Sequence, residues 1–309
     1  MPFFSVVIPL YNKERFISQT LQSVLAQTFD DFEIIIVNDG STDASEQKVN
    51  AFDDPRIRYY LRENKGVAAA RNFGITLSNA DYIAFLDSDD YWYPDFLQTM
   101  HRNIGRYAPG HKVFSSAIEI ETAKNVFPAD YSIEQTGYCE VVDFFDASSK
   151  EAVIWTSAAV FHKSVFEQSG VFDTNVKFAE DTDLWIRVGL DFKVVFDWKI
   201  LARYVYDGKS VSRGQQYFFE ESSFAKYAEA EKTNPKLKKF LDLNRFSVAI
   251  KSKLAGDKKN FRKCYDAIDF KNLNVKKRIL LHLTRFQLQV LVKIKTLLAE
   301  NGLGSSVFK

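Results

Sequence analysis

Cysteine is nearly missing from this chain: only Cys139 and Cys264 occur among 309 residues. They lie far apart with no CxxC spacing, which excludes a disulfide framework and a cysteine-based zinc site and suits a reducing cytosol. Long apolar runs are missing as well, the longest falling far short of the roughly 20 residues that a membrane span needs. The N-terminus enters a strand pattern directly, with no basic segment leading into an apolar one, so a secretory leader is not expected. Neither internal repeats nor low-complexity tracts occur. These absences predict a soluble chain, cytoplasmic or peripheral at the inner face of a membrane.

What is present is apolar and aromatic. The chain is 46% hydrophobic and 15% aromatic, with 28 Phe and 14 Tyr, enough for a large core in one or two domains. The net charge of +1 conceals two unlike halves. Residues 1–231 carry 22 Lys+Arg against 35 Asp+Glu, and residues 232–309 carry 19 against 5. The basic C-terminal segment is therefore expected to meet something anionic.

The first hundred residues alternate strand and helix. Strands are predicted at Ser5–Leu10, Phe32–Asn38, Ile57–Leu61 and Asp81–Leu86, and helices at Lys13–Gln27, Asp43–Phe52, Gly66–Leu77 and Pro94–Tyr107. This order implies a parallel sheet whose ligands bind beyond the C-terminal strand ends. Residues 111–160 read as irregular with short strands, Val165–Ser169 and Thr182–Val188 as short helices, and Lys193–Tyr206 as strand. Beyond these, helices are predicted over Tyr217–Glu231, Pro235–Leu254, Lys258–Ile268 and Val275–Leu298. The last carries one apolar stripe of Ile279, Leu280, Leu283, Phe286, Val290, Leu291, Ile294 and Leu297.

The chemistry concentrates at strand ends. Tyr82–Leu86 is a β-favouring apolar run, and it leads into Asp87-Ser88-Asp89-Asp90. A buried strand cannot keep such charges, so they emerge at its tip. They repel one another unless a cation relieves them, and hard oxygen ligands suit Mg²⁺ or Mn²⁺. An acidic turn capping the next helix would explain any one of them. The second strand ends in Asn38-Asp39-Gly40, where Asp39 can accept from a uracil N3–H or ribose hydroxyls, while Ser41, Thr42 and Asp43 serve as caps. Pro9 lacks a ladder donor, so the sheet is expected to release the chain there. Tyr11 beyond it can stack on a base or pack on the following helix. Lys65 stands before the small-residue helix start Gly66–Ala70, either beside an anion site or as a solvated charge. Arg71 can reach back toward phosphate or Asp87.

Five motifs in order resemble the family 2 glycosyltransferases over roughly residues 3–213. They are Pro9-Leu10-Tyr11-Asn12, Asn38-Asp39-Gly40-Ser41, Gly66 to Arg71-Asn72, Phe85–Asp90, and Gly170–Asp173 with Ala179–Trp185. The resemblance implies a GT-A type α/β fold: a mostly parallel sheet flanked by helices, a Rossmann-like nucleotide-diphosphosugar-binding domain. Its nucleotide half would span about 1–110 and its acceptor half about 111–213, followed by a basic helical region over 214–309. It implies an inverting transfer that needs Mn²⁺ or Mg²⁺. By that match Pro9, Tyr11, Asp39 and Arg71 contact the nucleotide, Asp87 the ribose or sugar, and Asp89 the metal, with Asp181 as general base. Lys65 and Ser88 join the candidate donor contacts, and Glu180, Asp90, Asp207 and Lys209 are candidate auxiliaries.

An inverting substitution needs a carboxylate opposite the leaving diphosphate to take the acceptor's proton. Glu180-Asp181-Thr182-Asp183 offers three at a loop-to-helix junction, where compensation of the helix dipole is the competing explanation. One departure stands out. The family's Tyr-Arg-x-His element reads Tyr204-Val205-Tyr206-Asp207 here, with Ser210 and Ser212 kept, and Lys209 and Arg213 as the nearby cations. Asp207 there is a metal ligand, a partner for an amine, or a turn residue before Gly208.

The expected activity is transfer from a nucleotide diphosphate sugar, a UDP-sugar first, to a hydroxyl of a glycan or lipid-linked saccharide in surface polysaccharide synthesis. The alternatives are a sugar-phosphate nucleotidyltransferase, which should carry a glycine-rich basic loop after the first strand, and a non-catalytic nucleotide-sugar-binding scaffold. The apolar stripes of the C-terminal tail are expected to pack back onto the catalytic domain or to pair with a second copy, and its basic residues, densest at Lys276-Lys277-Arg278, to face anionic lipid or to present a solvated face. No nucleic-acid recognition fold is evident.

Overall fold

The computed structural model describes residues 1–176, 179–206 and 222–300. The chain divides into two compact units, Met1–Ser210 and Val211–Lys309.

The first unit is the expected α/β sheet. Strands β1 (Phe4–Leu10), β2 (Phe32–Asn38), β3 (Ile57–Leu61) and β4 (Tyr82–Phe85) run parallel in the order β3-β2-β1-β4. Helices α1 (Ile17–Leu25), α2 (Ser45–Asn50) and α3 (Val67–Leu77) make the crossovers. Every residue of β1 and β2 is buried, as both faces of a helix-covered parallel sheet require. Helix α3 lies very close to the sheet. A Cβ built on Gly74 would stand 2.2 Å from Val7 Cγ1, so only glycine permits that approach.

The second half of this unit extends the same sheet. It comprises β5 (Tyr91–Trp92), α4 (Phe96–Tyr107), β6 (Val113–Glu121), β7 (Val126–Pro128), β8 (Cys139–Val142), α5 (Phe144–Ala147), β9 (Ala159–His162), α6 (Ser164–Ser169), α7 (Glu180–Asp191) and β10 (Val194–Val205). The order continues β4-β9-β6-β10-β5. Strand β9 runs antiparallel to β4 and β6, whereas β10 and β6 are parallel. The C-terminal ends of β1, β2, β4, β6 and β10 thus share one rim.

Two local expectations are corrected. Strand β1 does not end at Pro9, which is buried and pairs with Val37 of β2. Leu10 O accepts from Asp39 N at 2.8 Å and Val7 O from Leu86 N at 3.0 Å. Alternate residues face alternate neighbours, so Pro9 turns its donor-less side to β4, whose pairing stops at Val7↔Phe85. Helix α1 starts at Ile17 rather than Lys13 because the loop before it is held elsewhere. Lys13 N donates to Ser45 Oγ at 2.9 Å and Glu14 N to Asp43 Oδ2 at 3.0 Å.

The second unit is helical: α8 (Ser222–Ala225), α9 (Ala230–Thr233), α10 (Pro235–Ala255), α11 (Lys258–Ala267), α12 (Val275–His282) and α13 (Arg285–Glu300). The single helix predicted over Val275–Leu298 is two. A reciprocal cap starts the second, with Thr284 N donating to Gln287 Oε1 at 2.8 Å and Gln287 N to Thr284 Oγ1 at 3.2 Å. The break changes the exposure of the apolar stripe. Leu281 and Leu288 are buried, while Ile279, Phe286, Val290, Leu291 and Ile294 are exposed. Among the described residues no helix is long and apolar enough to cross a membrane.

Candidate active site

Tyr11, half-exposed, stands just beyond β1. Next to it, the tip of β2 places Asp39 in a buried position. Its carboxylate accepts from Lys65 N at 3.1 Å and Gly66 N at 2.7 Å, with Arg62 Nε at 3.4 Å. The backbone amides before α3, where an external anion was expected, therefore already hold an internal one. Gly66 adopts φ 88°, which aims its amide back at Asp39. The Lys65 side chain is exposed.

The four-residue acidic run after β4 is pinned from several elements. Thr20 Oγ1 on α1 donates to Ser88 O at 3.0 Å and Asp90 O at 2.8 Å. Ser157 Oγ donates to Asp90 Oδ2 at 2.6 Å and accepts from Asp87 N at 3.1 Å. Each carboxylate consequently goes a different way. Asp87 meets Arg71 at 2.6 Å and keeps a side-chain exposure of 30%. Asp89 Oδ2 meets Lys13 Nζ at 2.5 Å; burial pushes its carboxyl up, Lys13 opposes this, and the charge of Asp87 adds to it. Asp90 is buried and also accepts from Val205 N at 3.0 Å. Burial, then the charges of Asp89 and Asp87, hold it well above the usual aspartate range. Asp90 fastens the loop to β10, and Ser88 is buried as well.

Arg71 joins this loop to the second acidic run. It is buried on α3, donates through Nη2 to Asp87 at 2.6 Å and through Nη1 to Glu180 at 2.7 Å, and lies 5.2 Å over the Phe172 ring. Its guanidinium is held firmly charged by Asp87 and Glu180 despite desolvation. Glu180 and Asp181 open α7 behind Ala179, which adopts the left-handed φ of 54°. Asp181 is half-buried, its Oδ1 accepting from Thr182 N at 2.5 Å. Its carboxyl is pushed up to about 6, by burial first and by Glu180 next, with Arg71 pulling down. Asp183 faces the other way, paired to Arg187 at 3.0 Å.

The structure thus gathers Tyr11, Asp39, Arg71, Asp87, Asp89, Glu180 and Asp181 along one rim. Pro9, Ser88 and Asp90 lie behind it as framework. Asp207 and Lys209, with Ser210, Ser212 and Arg213, lie outside the described residues. Sequence reasoning missed Lys13, Thr20 and Ser157. Lys13, two residues past Tyr11, was the findable one; Ser157 sits in a stretch with no readable motif.

Among the described residues no three His, Cys, Asp or Glu side chains are grouped to hold a metal. The donor set at Asp89 is one carboxylate, partnered by Lys13. That chemistry fits a Mg²⁺- or Mn²⁺-type site completed by substrate phosphate oxygens and water, and not a cage built from protein alone.

The family model described as glycosyl transferase family 2 matches residues 5–170. A curated relative, an uncharacterised glycosyltransferase of Rickettsia typhi, is 28% identical over 202 residues, covering 65% of this chain and 63% of the relative. The chain thus spans less than two thirds of that relative's length. Among solved structures, S. aureus TarS 1–349 in complex with UDP-GlcNAc superposes with TM-score 0.60 at 17% identity, covering 86% of this chain and 91% of that one. A mannosyltransferase from Pyrobaculum calidifontis in complex with GDP-Man and Mn²⁺ gives TM-score 0.59 at 17% identity, covering 98% and 84%. These likenesses establish the GT-A type fold.

Proposed function

We propose a function from one premise: the chain belongs to glycosyl transferase family 2. It is an inverting hexosyltransferase that moves a sugar from a nucleotide diphosphate donor, a UDP-sugar first, to a hydroxyl of a glycan or lipid-linked saccharide in surface polysaccharide synthesis. It works on the cytoplasmic face of a membrane. The observation that carries this reading is the Arg71 bridge between Asp87 and Glu180. It brings the residue with a base-like carboxyl, Asp181, beside the loop that would hold the leaving group.

In the transfer, the acceptor oxygen forms a bond to the anomeric carbon as the bond from that carbon to the diphosphate breaks. The acceptor's proton passes to the Asp181 carboxylate, whose raised affinity suits a general base working near neutrality. Tyr11 stacks on the base, Asp39 and its partners shape the nucleoside pocket, and Asp87 orients the ribose or sugar. Asp89 would hold a divalent ion, Mn²⁺ or Mg²⁺, which would supply charge neutralisation for the leaving diphosphate. Arg71 keeps Asp87 and Glu180 in place.

The test is UDP release from a panel of UDP-sugars with Mn²⁺. Asp181→Asn is expected to lower turnover by about 10²–10⁴-fold with UDP affinity unchanged. Turnover that survives the substitution removes Asp181 from the role of base. Binding without UDP release by the wild-type chain, across donors and acceptors, makes it a scaffold instead.

A further inference from the structure

The helical unit carries an apolar surface that its own packing leaves open. On α12, Val275 and Ile279 are one turn apart and exposed, Val275 at 70%. On α13, Phe286, Val290 and Ile294 recur at four-residue spacing with Leu291 beside them, all exposed, Phe286 at 73%. Inward contacts are made by other residues. Leu281 and Leu288 are buried, Lys277 Nζ lies 5.6 Å over the Phe246 ring, Arg285 Nε donates to Leu254 O at 3.0 Å, and Lys253 Nζ donates to Leu283 O at 2.9 Å. These contacts seat both helices on α10, so the open stripes are their outer sides. Repeated large apolar side chains on an outer face mark an interaction surface.

Charge says what kind. Between Asp269 and Glu300 the sequence has seven Lys or Arg and no acidic residue. Lys271, Lys276, Arg278, Arg285 and Lys293 are exposed. A two-fold contact between copies through this face would set cation against cation, with Glu300 at the far end of α13 the one carboxylate in the sequence of the two helices. A nucleic acid would meet the cations and leave the apolar stripe in water. An anionic bilayer satisfies both: basic side chains reach headgroup phosphates while Phe286, Val290 and Ile294 enter the acyl boundary. We propose that α12 and α13 form an interfacial membrane-docking face, lying in the plane of an anionic lipid surface. This extends the membrane-face part of the function proposed above to named residues, and it does not depend on the transfer chemistry.

The experiment is co-sedimentation of the full chain with phosphatidylcholine vesicles, with and without about 30% phosphatidylglycerol. Wild type is expected to bind the anionic vesicles, and to release partially at about 0.5 M salt as the electrostatic share is screened. The double variant Phe286→Glu, Ile294→Glu should lower the bound fraction about ten-fold or more. Both positions are exposed, so circular dichroism and UDP release are expected to be unchanged and report failure of the fold or the enzyme separately. Absence of wild-type binding to anionic vesicles overturns the proposal. Binding equal in the double variant overturns it too, as does a wild-type dimer that the variant converts to monomer while vesicle binding stays the same.

Discussion

At Asp181, the proposed base role would come at a cost in stability. The fold raises its carboxyl to about 6, above the ordinary aspartate range. A raised folded-state value means the native state favours the protonated form. The stabilising contribution is complete below the unfolded value near pH 4 and disappears as pH rises through about 6. At neutral pH the ionised group is therefore a cost. Asp181→Asn is expected to raise Tm by about 2–4 °C at pH 7.5 and to leave it unchanged at pH 4, read by differential scanning calorimetry. On the proposed base role of Asp181, wild-type turnover should fall about ten-fold per pH unit below 6 as this carboxylate protonates. Arg71 behaves oppositely, since it is buried between two carboxylates. Arg71→Met strands both charges and should cost about 3–5 kcal/mol in urea unfolding. Arg71→Lys keeps the charge and loses the fork, so it should fall between.

At the scale of elements, the approach of α3 to β1 positions that arginine. Gly74 sits where a methyl group would overlap Val7 Cγ1. Gly74→Ala is expected to destabilise by about 1–3 kcal/mol and to weaken UDP binding, because α3 carries Arg71 and its start holds Asp39. Adding Val7→Ala should recover part of both losses, and a double-mutant cycle in urea measures the coupling. The glycine was visible in the sequence; the side chain it accommodates was not, because Val7 and Gly74 meet only once the sheet has formed.

Across the whole molecule, every gathered candidate residue lies within Met1–Ser210. Ligand linkage therefore acts on the unfolding of that unit. With UDP and Mn²⁺ together at about 100 Kd, stabilisation of about 2.7 kcal/mol is expected, seen as an upward shift of the corresponding calorimetric transition. UDP alone should give less. In Asp89→Ala the increment from Mn²⁺ should vanish, and its persistence would place the ion elsewhere.

The alternation of strand and helix, the buried character of β1 and β2, and the acidic tips at Asp39 and Asp87–Asp90 were all legible in the sequence, because period and composition carry them locally. Partnership was not. That Asp39 fills the amides of Lys65 and Gly66, that Lys13 reaches Asp89, and that Asp90 turns inward to Ser157 depend on residues 26 to 76 positions apart. The same holds for the C-terminal helices. Their apolar periodicity could be read, but the Thr284–Gln287 cap and the seating on α10 decided which side faces outward. Local pattern sets which elements form, whereas charge pairing and burial are properties of the closed chain, decided only when distant strand ends share one rim.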